Sequence, residues 1–247
     1  VWGFLILAGI ILDKMGIRFT GLASAIIMII GAAIKFYAIS DAFAGSGLES
    51  WLNSWWTSFP ASAKLASAGF MIFGCGCEMA GITASKAMAK WFEGKEMALA
   101  MGLEMALTRV SVCLIFTISP RLAGIGGANP SVVRPVAFCL ALLCIGLLFY
   151  SIFCVMDKKL DKQTGAADSV DPEDEFKFSD IGKIFSSKLF WIVAMLCVLY
   201  YSAIFPFQKF AANMLQSNLN LDATTAADIF RWFPIGAACV TPFLGWF

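Results

Sequence analysis

Apolar runs long enough to enter a bilayer occupy most of this chain, and they restrict it to one kind of fold. A crossing helix needs about 20 mostly apolar residues, and the candidates are 1–12, 19–39, 62–92, 97–119, 132–156, 189–207 and 225–247. Lipid offers no partner to a backbone N–H, so a spanning segment satisfies its own hydrogen bonds as a helix. The expected fold class is an all-α membrane protein, a bundle of about seven transmembrane helices. Hydrophobic residues make up 60% of the chain and charged residues 14%, which leaves little polar surface for a soluble core. The first run is too short to span and the last has no polar flank. Further helix, rather than a cleaved leader, is expected beyond both ends.

The charges between runs set an orientation. Lys14, Arg18, Lys90, Lys95, Lys158, Lys159, Lys162, Lys177, Lys183 and Lys188 fall on one side, and Lys64, Arg121, Arg134 and Lys209 on the other. Positive-inside bias places the first set in the cytoplasm. The one shift in composition is 157–188, where lysines precede an acidic stretch containing Pro172. It reads as a cytoplasmic linker between two bundles, with a short amphipathic piece at 181–185, capped by Ser179 or Asp180, lying on the membrane surface.

Several function classes drop out. A net charge of +1 gives no basic field for nucleic acid. Histidine is absent, which removes the commonest general base and most zinc sites. Cys75, Cys77, Cys113, Cys139, Cys144, Cys154, Cys197 and Cys239 all lie inside apolar runs and read as small core residues, with no metal site. No nucleophile–base pair, metal cluster or cofactor loop is present, so no catalytic residue and no cofactor is expected.

Ionisable groups inside the apolar runs are the candidates for function, because each costs about 2.5–3.5 kcal/mol at the bilayer centre. Snorkelling accounts for Lys35, and an ion pair with Asp228 for Arg231. Glu78 and Arg109 stand about 15 residues to either side of the Glu93-Gly94 turn, which puts an acid and a base at one depth near mid-membrane. Lys86 and Glu104 form a second level closer to the cytoplasm, read as a secondary ion pair. Glu78 and Arg109 read either as a buried salt bridge holding the hairpin together or, because a permanent mid-membrane ion pair adds little over apolar packing, as a site for a charged solute, the reading preferred here. The small residues Gly74, Gly76, Ala80, Gly81 and Ala84 suit a helix-packing seam. Tyr200, Tyr201, Phe205, Pro206 and Phe207 read either as an interfacial aromatic belt or as a stretch broken at Pro206 whose tyrosine hydroxyls line a cavity or gate.

Gly9, Asp13, Lys14, Gly16 and Arg18 read Gly-x-x-x-Asp-Lys-x-Gly-x-Arg between two apolar runs. This resembles the signature loop of the major facilitator superfamily, which implies a gating loop: Asp13 pairs with a helix of the opposite bundle, and the basic residues hold acidic partners. The blocks Trp91-Phe92-Glu93-Gly94-Lys95-Glu96, Gly102 to Arg109 and Tyr200 to Phe207 are similar to the group of major facilitator superfamily domain-containing protein 1, associated with dipeptide transport. The resemblance implies an N-terminal bundle over 1–156 lacking its first helix, a central loop over 157–188 and the start of a C-terminal bundle over 189–247. It also places Glu78 and Arg109 in the substrate site, with Tyr200 and Tyr201 beside it.

The expected function is a secondary active or facilitative transporter working by alternating access on dipeptides or similar small zwitterions. Arg109 would bind the carboxylate and Glu78 the ammonium. The expected partners are a small-molecule solute and the lipid bilayer, with proton coupling through Glu78 or Glu104 open. Two alternatives stand beside it: an organic-anion or sugar carrier of the same superfamily, and a non-transporting receptor or scaffold. A bacterial inner membrane suits the short loops, with a lysosomal membrane as the other expectation.

Overall fold

The computed structural model of the chain describes residues 2–92, 97–125, 129–164, 182 and 184–246. Its named elements are helices: α1 (Trp2–Ala38), α2 (Gly47–Asn53), α3 (Ala61–Trp91), α4 (Met97–Ala123), α5 (Val133–Thr164), α6 (Lys188–Leu219), α7 (Ala223–Phe230) and α8 (Trp232–Trp246). Helices α1, α3, α4, α5 and α6 are long and apolar enough to cross a membrane. The chain is an all-α, multi-pass membrane protein. The Glu93-Gly94 turn, Pro172, Ser179, Asp180 and, within the amphipathic piece, Ile181 and Lys183 lie outside the described residues.

Three of the expected apolar runs are organised differently. Runs 1–12 and 19–39 join in α1, where Gly16 alone leaves helical geometry, at φ 75° and ψ 170°. A straight helix of 37 residues would reach about 55 Å, nearly twice the hydrocarbon thickness. The glycine, which has no Cβ to resist positive φ, divides it, so the expected loop shrinks to one non-helical residue. Run 225–247 is divided at Arg231, the C-cap of α7. Pro206 does not break its helix: α6 continues through it to a left-handed cap at Asn220, φ 50°. Its missing N–H costs one bond in a helix otherwise intact on both sides. Helix α5 likewise continues past Met156 to Thr164, carrying Asp157 and Asp161 inside a helix where a loop was expected.

The chain falls into two compact units, residues 1–101 with 130–170 and residues 102–129 with 171–247. In the first, α1 is the central helix. Its buried positions Ala8, Leu12, Ile17, Thr20, Ser24 and Ala32 recur at helical spacing. The crossing with α3 is close enough for backbone contact, since a Cβ on Gly31 would meet Phe73 N at 2.5 Å and Gly69 O at 2.7 Å. Gly76 lies against Ser24 O and Met28 in the same way. The packing seam expected along α3 therefore runs through Gly69 and Gly76, whereas Gly74 and Gly81 face open space. Lys35 covers Phe70 and Phe73, at 5.1 and 5.6 Å from their ring centres. Short α2 rests on a small core of Phe43, Leu52, Ala61 and Leu65. Its fixed point is Lys64, whose ammonium donates to the carbonyls of Leu52 and Trp55 at 2.6 and 2.5 Å.

In the second unit, α4 reaches the later helices through Phe116 and Arg121, although chain order assigned it to the 1–156 bundle. Phe116, Phe207 and Phe233 surround the buried Phe230 at centroid distances of 4.9, 5.7 and 5.6 Å. Beside them Asp228 accepts from Arg121 at 3.4 Å and from Arg231 at 3.1 Å. Asp222 caps α7 by accepting from Thr225 N and the Thr224 hydroxyl, which holds its carboxyl well below the usual carboxylate range. The eight cysteines are free and none is buried. This corrects the reading of them as core residues: Cys75, Cys113 and Cys154 are half-buried and the other five exposed, which a weakly polar thiol tolerates on a helix face.

Candidate functional site

The break at Gly16 brings the signature residues against α3 and α5. One stripe of α5, Tyr150, Phe153, Cys154, Asp157 and Asp161, follows the 3–4 residue spacing of a helix face and supplies the partners. Tyr150 donates to Ile17 O at 2.8 Å, and the Cys154 thiol lies 3.9 Å from Arg18 O. Both contacts land on carbonyls immediately after the break, fixing where the second half of α1 starts.

Beyond them sits a closed ion cluster. Asp157 is fully buried, with 0% of its side chain exposed. It takes the Lys90 ammonium on both oxygens, at 3.0 and 3.2 Å, the indole N–H of Trp91 at 3.0 Å and Arg18 Nε at 3.4 Å. Asp161 accepts from the same two cations, each at 2.7 Å. Arg18 and Lys90 therefore each bridge two carboxylates, and three helices meet in one network. One turn back along α3, Lys86 donates to Asp13 at 2.6 Å. Among the described residues, the cations Arg18, Lys86 and Lys90 face the anions Asp13, Asp157 and Asp161 in equal number.

Arg18 holds acidic partners, and Gly16 supplies the bend. Gly9 lies earlier on α1 with open space around its Cβ position, and Lys14 is exposed. Asp13 finds its partner within its own unit, at Lys86, where the resemblance implied the opposite bundle. Lys86, expected to face Glu104, is matched by Asp13; Glu104 stands on α4 in the second unit. The partners Asp157 and Asp161 were not identified from sequence. Their spacing of four, at the end of an apolar helix, was the available signal, and the adjacent lysines disguised it as the start of a linker.

Of the substrate-site candidates, Glu78 lies exposed on α3 of the first unit. Arg109 is half-buried on α4, and Tyr200 and Tyr201 are on α6, all in the second unit. The two tyrosines touch edge to face at 5.3 Å, and Tyr201 stacks on Phe205 at 5.0 Å. Both residues are half-exposed. Among the described residues, no group of three or more His, Cys, Asp or Glu is arranged to hold a metal ion.

Comparison with known proteins yields relatives of one kind. The chain is similar to the lysosomal dipeptide transporter MFSD1 of Danio rerio, 27% identical over 216 residues, which is 81% of this chain and 40% of that protein. With the Mus musculus protein of the same name it shares 25% over 254 residues, 97% of this chain and 48% of the relative. With the Homo sapiens protein it shares 24% over 253 residues, 96% and 48%. The chain spans less than half the length of these relatives. No family model matches, and no solved structure matches. The likeness is to major facilitator transporters of this group, and it extends over nearly the whole chain.

Proposed function

Proceeding from that likeness, we propose that the chain is part of a secondary transporter of the major facilitator type that moves dipeptides or similar small zwitterions by alternating access. The observation that carries the reading is similarity to proteins named as lysosomal dipeptide transporters over as much as 97% of the chain. The relatives are lysosomal by name. That favours a lysosomal membrane and gives no support to the bacterial inner membrane expected from loop length.

The site is Arg109 for the substrate carboxylate and Glu78 for its ammonium, with Tyr200 and Tyr201 beside them. A guanidinium meets a carboxylate through two parallel hydrogen bonds, which suits recognition of a peptide terminus. A zwitterion brings one opposite charge to each residue, so both groups gain a partner when it binds. Neutralising either residue leaves the other charge in low dielectric, where it repels the matching end of the substrate or stays unpaired. Glu78 and Glu104 are the carboxylates available for proton coupling.

The ion cluster at the Gly16 break gives the first unit a stiff end. A rocking bundle must transmit motion as one body, and a neutral, three-helix network of short bonds resists shear between α1, α3 and α5.

Reconstitution of the full-length protein in proteoliposomes tests this function. Uptake of labelled dipeptide, lost on Glu78→Lys with the protein still folded in the membrane, is the expected result. Equal uptake in the variant would overturn the clamp, and no dipeptide flux with flux of sugars or organic anions would overturn the substrate class.

A further inference from the structure

The connection between α1 and α3 carries apolar surface that its own unit leaves uncovered. About two to five residues suffice to join antiparallel helices, whereas residues 39–60 fold into α2 and a turn holding Trp55, Trp56 and Phe59. At 100° per residue, Leu48, Trp51 and Leu52 occupy one sector of α2, and Glu49, Ser50 and Asn53 occupy the other side. The apolar sector is divided in use. Leu52 is buried with Phe43 and Ala61, while Leu48 and Trp51 are exposed. Trp55, just past the cap at Ser54, continues the exposed strip with its ring 6.1 Å from that of Trp51. Trp56 follows at φ 51°, in the left-handed region that bulky side chains avoid, and its ring meets Phe59 at 5.1 Å. A strained backbone that presents a ring 62% exposed adds little to the unit's own core.

Depth decides what meets this surface. Helices α1 and α3 are both of membrane-crossing length and run antiparallel, since Gly31 lies against Gly69 and Gly76 against Ser24. From the break at Gly16, beside the ion cluster, α1 rises about 33 Å to Ala38, close to one hydrocarbon thickness. The chain therefore leaves the hydrocarbon near Ala38 and returns near Ala61, with α2 at the surface opposite the ion cluster. Lysines mark the same level on both helices: Lys35 lies over Phe70 and Phe73, and Lys64 stands 5.2 Å from the Trp55 ring. Charge narrows the kind of lipid. The ionisable side chains of 39–60 are Asp41 and Glu49, both acidic, which disfavours an anionic surface. We propose that this segment docks into the headgroup and acyl boundary of a zwitterionic leaflet, with Leu48, Trp51, Trp55, Trp56 and Phe59 inserted and Glu49 and Asn53 turned to water. Indole suits this zone, because its ring is apolar and its N–H can donate to lipid ester carbonyls. A helix divided into apolar and polar sides lies in the plane of such a boundary.

The test uses the full-length protein, labelled with fluorotryptophan, in phosphatidylcholine nanodiscs. Its fluorine resonances are assigned from Trp51→Phe, Trp55→Phe and Trp56→Phe. Two paramagnetic probes are compared: a phospholipid spin-labelled near the top of its acyl chain, and a water-soluble gadolinium chelate. The expected result is that the lipid probe broadens all three signals at least about threefold more than the chelate does. Replacing half of the phosphatidylcholine with anionic phosphatidylglycerol should not raise that ratio. Trp51→Glu puts a charge on the inserted face and should reverse the ratio for Trp55 and Trp56, while Asn53→Asp, on the water-facing side, leaves it unchanged. Stronger broadening by the chelate in the wild type would overturn insertion. Protection from both probes would mean that protein covers the face, from a further segment of this chain or another subunit, and would overturn lipid as the partner. A ratio unmoved by Trp51→Glu would overturn the role of α2, and one that rises with anionic lipid would overturn the zwitterionic surface. The thermal transition in detergent should be unchanged in both variants, whose wild-type side chains are exposed. Where Trp51→Glu lowers it, the milder Trp51→Ser, expected to reduce the ratio without reversing it, decides the same question.

Discussion

Removing the carboxylate of Asp157 should be among the most damaging single changes at the Gly16 break. The group is fully buried and receives Lys90 on both oxygens, Trp91 and Arg18. A buried pair broken on one side costs about 3–5 kcal/mol when the remaining charge is stranded. Here neither cation is stranded, because each keeps Asp161 at 2.7 Å, and their side chains are 24% and 33% exposed. Those contacts reduce the charge penalty to about 1–2 kcal/mol, while the indole N–H of Trp91 loses its acceptor for about 1 kcal/mol. Asp157→Ala should therefore cost about 2–3 kcal/mol. Asp157→Asn preserves shape and the bond from Trp91 and should cost about half as much. Asp161→Ala, at the more open rim, should cost about 1 kcal/mol. Unfolding of the full-length protein in mixed detergent micelles, followed by tryptophan fluorescence, measures all three. An Asp161 variant as damaging as the Asp157 variant, or an Asp157→Ala change below about 0.5 kcal/mol, would refute the idea that burial decides the order.

Other perturbations separate close packing from open space. Gly31→Val drives a side chain into the backbone of Phe73 and Gly69 and should cost about 2–3 kcal/mol, whereas Gly81→Ala, with nothing nearby, should be neutral or gain up to about 1 kcal/mol; the same unfolding assay reads both. Phe230→Ala removes the centre of four packed rings and should cost about 3 kcal/mol. Arg121→Ala, whose side chain is 58% exposed, should cost under about 1 kcal/mol. A double-mutant cycle on Asp13 and Lys86, with side chains 27% and 42% exposed, should give a coupling of about 0.5 kcal/mol, declining with salt.

The helices were legible because lipid forces backbone self-satisfaction, so apolar length alone identifies a span. Their joints were less so. The bend at Gly16 was visible as a glycine among charges, yet nothing local says that a single residue suffices to divide α1. Pro206 illustrates the opposite case: a proline in a long apolar helix reads as a break, but the surrounding hydrogen bonds outweigh the one it lacks. Arg18 and Asp13 were identified through the resemblance of their loop to a family signature, and Lys86 from its cost inside an apolar run. Their partners were not, because Asp157 and Asp161 sit among lysines that make the segment look solvated. Only the packing of α5 on α1 shows the two acids facing inward.

The central claim is that Arg109 and Glu78 recognise a zwitterion, and the most direct measurement is the thermal transition of the purified full-length protein with and without dipeptide, wild type beside Arg109→Ala. The account predicts stabilisation of the wild type that rises with dipeptide concentration, as binding to the folded state requires, and none in the variant. Equal stabilisation of both proteins, or none in the wild type while another solute class stabilises it, would contradict the clamp.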